Sequence, residues 1–156
     1  MTTQTFWAHG SALRGVFSAG SVAGEFRINE FGSTIIGFSG NVPTEPINFS
    51  IIIPCPVNIN GVQGKLLTAF LKYRHVGGNP PFAPVIRDVR LLDGDSEVGV
   101  WLPPIPMPPL GADHVERFQL HRNVTINCGL ALTFRVVDLF APAMVEIIGA
   151  GIEIQY

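Results

Sequence analysis

The chain has 156 residues, which fits one domain of ordinary size, and only 14% of them are charged, against roughly 25% in typical soluble domains. A net charge of −2 and the lack of a basic block leave no visible attraction to phosphate backbones, so nucleic-acid binding is disfavoured. No apolar run is long enough for a membrane span, and no secretory signal is visible, so we expect a cytoplasmic protein with residues 1–156 forming one domain. The charge deficit predicts that self-association covers part of the surface, which makes a homo-oligomer our expectation.

Alternation of apolar and polar residues dominates the chain, and this period places one set of side chains on each face of a strand. Between Ile47 and Ile59 every odd position is apolar, but Pro54 and Pro56 cannot donate to a ladder, so the second half must lie at an edge or leave the sheet. The predicted strands are Thr5–His9, Leu13–Phe17, Glu25–Asn29, Thr34–Phe38, Ile47–Ile59, Leu66–Tyr73, Val85–Leu92, Glu97–Leu102, Arg117–Leu120, Leu130–Val137 and Ile148–Tyr156.

The two C-terminal strands alternate most cleanly and predict which side chains face a core. One apolar set is Leu130, Leu132, Phe134 and Val136, and the other is Ile148, Ala150, Ile152, Ile154 and Tyr156.

Turn-forming residues separate the strands, for example at 18–21 and 77–81. The Asp-Gly pair within 93–95 predicts a hairpin, since a calcium loop would need twelve residues ending in glutamate. This pattern predicts an all-β antiparallel β-sandwich, jelly-roll-like or Greek key, with a barrel as the alternative.

Residues 102–110 contain five prolines, which impose an extended path. Such a segment is either a docking peptide for a proline-recognising partner or a rigid connection packed against the sandwich. We favour the rigid connection, because basic residues that commonly orient proline-rich ligands are missing nearby.

The sequence contains no nucleophile elbow, phosphate-binding loop or dinucleotide fingerprint, and therefore predicts no cofactor. No pair of histidines has metal-ligand spacing; His114 lies between Asp113 and Glu116, but this run supplies ligand types without geometry, so we predict no metal. Cys55 and Cys128 are predicted to be reduced core thiols, with a bridge between them as the alternative.

Trp7 and Trp101 are the two tryptophans, and two roles are open to them. Tryptophans on an exposed strand can stack on sugar rings, whereas core tryptophans direct the indole N–H to a carbonyl, and we favour the core for both. The candidate ligand-binding residues are Trp7, His9, Trp101 and His121. A small enzyme with a pocket between the sheets would use histidines such as His9, His75 or His121.

The segment from Trp7 to Leu13, Trp-Ala-His-Gly-Ser-Ala-Leu, resembles the Trp-x-His-Gly-Thr-x-Val opening of an uncharacterised family of small bacterial and fungal proteins. Residues 49–57 are similar to that family's Phe-His-x-Pro-Ile-Pro-Thr-Pro-Val segment, with Ser50 in place of its histidine. The resemblance implies a microbial protein with one β domain, and it supplies no active site because the family has no known function.

These observations favour a non-enzymatic β-sandwich module that binds a small molecule or glycan, or that assembles with itself. The alternatives are a small pocket-type enzyme, such as a cyclase or isomerase, and a carbohydrate-binding module that uses Trp7 or Trp101.

Overall fold

The protein is described here by a computed structural model that covers residues 1–16, 24–28, 32–38, 47–77, 83–137 and 143–156, without the side chains of residues 16, 24–27, 38, 47 and 121–123. The strands are β1 (Thr3–His9), β2 (Leu13–Val16), β3 (Gly24–Ile28), β4 (Thr34–Phe38), β5 (Ile47–Ile53), β6 (Asn58–Ile59), β7 (Val62–Gln63), β8 (Lys65–Gly77), β9 (Val85–Asp93), β10 (Ser96–Trp101), β11 (Asp113–Thr125), β12 (Leu130–Val137) and β13 (Met144–Gln155). A single turn of 3₁₀ helix, Gly10–Ala12, joins β1 to β2. No helix within these ranges is long and apolar enough to cross a membrane.

The strands form an antiparallel β-sandwich, which confirms the predicted fold class. One sheet has the order β11-β8-β13-β4-β3, with β1 also paired to β13, and the other has the order β10-β9-β12-β5-β2. On one side of β13, β4 pairs with its first residues and β1 with the rest, while β8 pairs along the other side. Thr2 and Tyr156 exchange two backbone hydrogen bonds of 2.9 Å, so the first and last residues lie side by side.

The inner faces of the two sheets form the core predicted from alternation. Leu130, Leu132, Phe134 and Val136 of β12 are all buried, and they lie opposite the buried Phe49, Ile51 and Ile53 of β5 in the strand register. The outward neighbour Ile52 is 67% exposed. Other exposed apolar side chains, including Val62 and Leu110, are spread over the described surface, so self-association remains a prediction.

The strand β13 departs from the prediction at one residue, and the departure has a clear cause. Its register against β8 shifts between Ile147 and Gly149, so the inward set changes from odd to even positions along the strand. Ile148 was predicted to face the core with Ile152, but it sits in this bulge and lines a depression on the outside of the sheet. A bulge bends a strand and redirects a side chain in this way.

Other boundaries also differ from the sequence prediction. The strand β11 has 13 residues where four were predicted, because the polar His114 and Glu116 lie on its inward side and the apolar Val115 on its outward side, which breaks the alternation. The strand β5 ends at Ile53, just before Pro54, because a proline has no backbone N–H to donate to the strand ladder. The hairpin at 93–95 is confirmed by β9 and β10, whereas the turn predicted at 18–21 and most of that at 77–81 lie outside the described residues.

The proline-rich segment is packed against the sandwich, as the rigid-connection interpretation requires. Ile105 is 6% exposed and forms an isolated bridge with Ile86 of β9. Tyr73 is fully buried and donates a hydrogen bond from its hydroxyl to the carbonyl oxygen of Pro106, at 2.8 Å. Residues 102–110 are thus held by contacts with both sheets.

The buried Tyr73 hydroxyl makes stability depend on pH. Burial, with the nearby Glu116 carboxylate, raises the pKa of Tyr73 above its ordinary value of 10.0. Tyr73 therefore contributes its full stabilisation of the folded state at pH values below the pKa of tyrosine in the unfolded chain. Above that pH the unfolded chain ionises first, so the free energy of unfolding falls as the pH rises. We expect Tyr73→Phe to cost about 1 kcal/mol at neutral pH and to make the alkaline loss of stability shallower.

Urea unfolding of the wild type and of Tyr73→Phe, at about pH 8 and about pH 11, measures both effects. Equal alkaline losses in the two proteins would show that Tyr73 does not carry the pH dependence.

Candidate functional site

The outer face of the six-stranded sheet carries aromatic and charged side chains around the exposed Trp7, and we call it the Trp7 face. It is defined by Thr5, Trp7 and His9 of β1, Thr68, Phe70, Lys72 and Arg74 of β8, Asp113, Val115, Arg117 and Gln119 of β11, and Glu146, Ile148 and Glu153 of β13. These residues alternate with the buried core set along each strand.

Trp7 lies in a row of directly opposed residues that crosses four strands. Trp7 pairs with Gly151, Gly151 with Phe70, and Phe70 with Arg117. The Trp7 and Phe70 rings stack with centroids 5.6 Å apart and planes 25° apart, and the Arg117 guanidinium carbon lies 5.2 Å from the Phe70 centroid. Phe70 is therefore covered on the outer face, while Trp7 remains 47% exposed.

Gly151 makes this stack possible because it has no side chain. A Cβ at this position would lie 2.7 Å from Cδ2 of Trp7, 2.8 Å from its Cε3 and 2.9 Å from the carbonyl oxygen of Phe6. The indole thus lies across β13 to reach Phe70 on β8. A rigid aromatic surface held in this manner needs little further ordering when a ligand stacks on it.

Two adjoining depressions flank the tryptophan. The first, of ≈ 160 Å³, is lined by Trp7, His9, Lys72 and Ile148, among others. The second, of ≈ 440 Å³, shares Lys72 and Ile148 with the first and continues to Arg74 and the carboxylates beside it. The bulged Ile148 therefore lines both depressions, which we call together the groove.

Paired charges line the far end of this groove. Arg74 lies between two carboxylates: its Nε is 2.6 Å from Asp113 Oδ1, and its Nη1 is 3.3 Å from Glu146 Oε2. Glu146 is only 5% exposed and also accepts a hydrogen bond from Ser33 Oγ. Lys72 Nζ lies 3.3 Å from Asp113 Oδ2.

The ion pair between Arg74 and Asp113 favours the charged form of both groups. Hydrogen bonding to Arg74, with a further contribution from Lys72, holds the pKa of Asp113 below its ordinary value although burial opposes this effect. The Asp113 hydrogen bond likewise raises the pKa of Arg74. The groove therefore offers fixed charged donors and acceptors beside an exposed indole.

The four predicted ligand-binding residues occupy different environments in the structure. Trp7 was expected in the core and is instead exposed on the outside of the sheet, where the missing side chain of Gly151 leaves space for the indole. His9 lies on the same face and lines the first depression with it. Trp101 is partly buried and packs at 4.9 Å on Phe118, which agrees with a core role. His121 belongs to β11, but its side chain is outside the described residues.

His9 and His75, two of the histidines that the enzyme alternative names, lie on opposite faces of the six-stranded sheet. His75 is buried, and both of its ring nitrogens face carbonyl oxygens, Nδ1 at 3.3 Å from Pro108 and Nε2 at 2.9 Å from Gly77. His9, by contrast, is exposed on the Trp7 face. Within the described ranges, no group of three or more His, Cys, Asp or Glu residues could hold a metal ion.

The cysteines also depart from the expected core position. Both are free thiols; Cys55 is half-buried and Cys128 is exposed. Cys128 lies in a loop whose backbone is held by Asp93, which accepts hydrogen bonds from the N–H groups of Asn127 and Cys128 at 2.7 and 2.8 Å. Burial raises the pKa of the Cys55 thiol.

Solved structures share the sandwich fold at low sequence identity. A family two carbohydrate esterase from Cellvibrio japonicus matches with a TM-score of 0.52 and 12% identity over 97% of this chain, but the chain spans only 34% of the esterase. A Stig cyclase from Fischerella sp. TAU matches with a TM-score of 0.50 and 11% identity over 79% of this chain and 63% of the cyclase.

A third structure is similar over nearly its whole length. It is a family 11 carbohydrate-binding module from Clostridium thermocellum in complex with a β-1,3-1,4-mixed-linked tetrasaccharide, with a TM-score of 0.50 and 9% identity over 94% of each chain. Neither a protein-family model nor a curated protein matches the chain, so the resemblance of the Trp-x-His-Gly segment remains a prediction.

Proposed function

We propose that this chain is a carbohydrate-binding module that holds a glycan on the Trp7 face. The observation that carries the proposal is the Trp7 indole, which is 47% exposed, stacked on Phe70 and open to the groove beside it. The fold shared with the family 11 module, which was solved with a tetrasaccharide, supports the same assignment.

The chemistry of the groove suits a sugar ring. The apolar face of a pyranose packs on an indole, which supplies a large, rigid and partly apolar surface. The ring hydroxyls then meet Lys72 and, farther along, Arg74, Asp113 and Glu146, whose charged groups form stronger hydrogen bonds than neutral ones. Since these side chains already hold one another in place, binding orders few of them anew.

The stacking contact predicts the effect of removing Trp7. We expect Trp7→Ala to weaken the binding of mixed-linkage β-glucan or xylan at least tenfold, because a buried aromatic anchor contributes about 2 kcal/mol or more. A second variant, Gly151→Val, retains Trp7 but should weaken binding by a similar factor, because the valine side chain displaces the indole from its position across β13.

Fluorescence makes the measurement direct. In Trp101→Phe, Trp7 is the single tryptophan of the chain, so a glycan that stacks on it changes the whole emission. Val100→Ala is the matched control, because Val100 is 40% exposed in the other sheet and its removal should leave the affinity unchanged. Binding that survives Trp7→Ala, or a flat response to a broad glycan panel, refutes the proposal.

A further inference from the structure

The outer face of the five-stranded sheet gathers four arginines from three strands, and we call it the arginine face. They are Arg14 of β2, Arg87 and Arg90 of β9, and Arg135 of β12. The sequence shows no arginine cluster, because the residues come together only through strand register.

One row of this face has small hydroxyl residues between two arginines. Arg14 is opposite Ser50, Ser50 opposite Thr133, and Thr133 opposite Arg90. In the next row Asn48 is opposite Arg135, and Arg135 Nε donates a hydrogen bond of 2.9 Å to Asn48 Oδ1.

These rows enclose a depression of ≈ 310 Å³. Its polar lining comes from Asn48, Ser50, Asp88, Arg90, Thr133 and Arg135. The side chains of Arg90 and Arg135 remain 50% and 47% exposed, so their guanidinium groups stay accessible from solvent. The short hydroxyl side chains leave room for a ligand between the longer arginines.

A bulge residue fixes one of the arginines. The register of β9 against β12 shifts between Thr133 and Arg135, and Asp88 adopts φ +53° there, a conformation that non-glycine residues rarely take. Its Oδ2 lies 3.3 Å from Nη1 of Arg135 and 3.5 Å from Nε of Arg87. Strain of this kind is retained where the surrounding contacts hold it, and it concentrates at functional sites.

The arginine face has an excess of positive charge that the Trp7 face lacks. The face carries four arginines and two carboxylates, Asp88 and Glu97, and Glu97 Oε2 lies 2.9 Å from Arg90 Nη1. Among the described residues, the side chain of Arg14 has one hydrogen bond, to the carbonyl oxygen of Leu13. On the Trp7 face, in contrast, the three cations Lys72, Arg74 and Arg117 are balanced by the three carboxylates of Asp113, Glu146 and Glu153.

We propose that the arginine face is a second binding site, for a sugar unit that carries a carboxylate or sulfate group. The guanidinium groups of Arg90 and Arg135 bind the anionic group, for which their planar donors are well suited. Asn48, Ser50 and Thr133 form hydrogen bonds with the sugar hydroxyls. The site is independent of Trp7, and its ligand is acidic, whereas the charge-paired groove of the Trp7 face suits neutral glycans.

The test is binding of polygalacturonate and of dextran sulfate, with neutral dextran and a short DNA duplex as comparisons, in low and high salt. We expect Arg90→Ala and Arg135→Ala each to weaken binding of one or both acidic polysaccharides about tenfold. Binding should fall at high salt, because exposed charges are screened. The polymer that binds better identifies the carboxylate or the sulfate as the recognised group.

Arg117→Ala is the matched control, since it removes the same charge from the opposite face. It and Trp7→Ala should leave binding of the acidic polymers within about twofold of the wild type. The proposal is overturned if neither acidic polymer binds, if neutral dextran binds equally, if DNA binds more tightly, or if Arg117→Ala is as damaging as Arg90→Ala. Loss of neutral-glycan binding in Trp7→Ala alone tests the Trp7 face separately.

Discussion

Gly10→Ala is expected to lower the free energy of unfolding by about 3 kcal/mol or more, because its new methyl group has no space. A Cβ at Gly10 would lie 1.9 Å from the carbonyl oxygen of Ile147 and 3.1 Å from Cα of Ser33. Both atoms belong to backbone, and the carbonyl is part of the central strand β13. The strand cannot move away without disturbing its pairing with β4 and β8.

Thermal and urea unfolding of the purified variant measures this loss, and a fall in midpoint of roughly 10 °C corresponds to it. Gly129→Ala is the control: no heavy atom lies within 4 Å of the added methyl, so stability should change by less than about 0.5 kcal/mol. Gly149→Ala, whose Cβ would meet the Ala8 carbonyl oxygen at 2.6 Å, provides a second test if Gly10→Ala fails to accumulate. Wild-type stability in both Gly10→Ala and Gly149→Ala would contradict the close approach of β1 and the 3₁₀ turn to β13.

Phe134→Ala is expected to destabilise the fold by about 4 kcal/mol, through lost burial and the cavity left behind. Phe134 is 1% exposed and lies directly opposite Phe49, with ring centroids 5.7 Å apart. Both rings belong to the same sheet and face the other sheet, so neither can fill the space without distorting β5 or β12.

Thr133→Ala is the matched control because Thr133 is the neighbouring residue on the outer face, where truncation should cost less than about 0.5 kcal/mol. Urea unfolding gives both values on one scale. If the two variants lost similar stability, the assignment of inner and outer positions along β12 would be wrong.

The alternation of apolar and polar residues predicted the fold class and much of the core, since one buried face demands period two. Phe134 and Phe49 were assigned inward from that pattern alone. Ile148 was assigned to the wrong side because a bulge changes the phase of alternation without a sequence signal of its own. The sequence does not show why Gly10 and Gly151 must be glycines, because the backbone and ring atoms that leave no space for a side chain there come from distant strands.

The candidate sites were predictable only in part, for the same reason. His9 and Trp7, two apart on one strand, were named together as candidate ligand-binding residues and do line one depression, yet Trp7 was expected inside. Its exposure depends on Phe70 and Gly151, which register brings beneath it. Arg74 and Glu146 went unnoticed, and Asp113 was considered only beside His114, because the three residues are separated by dozens of residues and meet only across strands.

The pairing of Thr2 with Tyr156 determines how the fold responds to mechanical load. The two ends lie side by side on antiparallel strands, so a force that separates them acts along the hydrogen bonds between β1 and β13. Such a force opens the ladder one bond at a time, as a zipper opens, whereas strands pulled lengthwise must break many bonds together. Tension applied through the two ends would therefore peel β1, and Trp7 with it, from the sheet before it reaches the core.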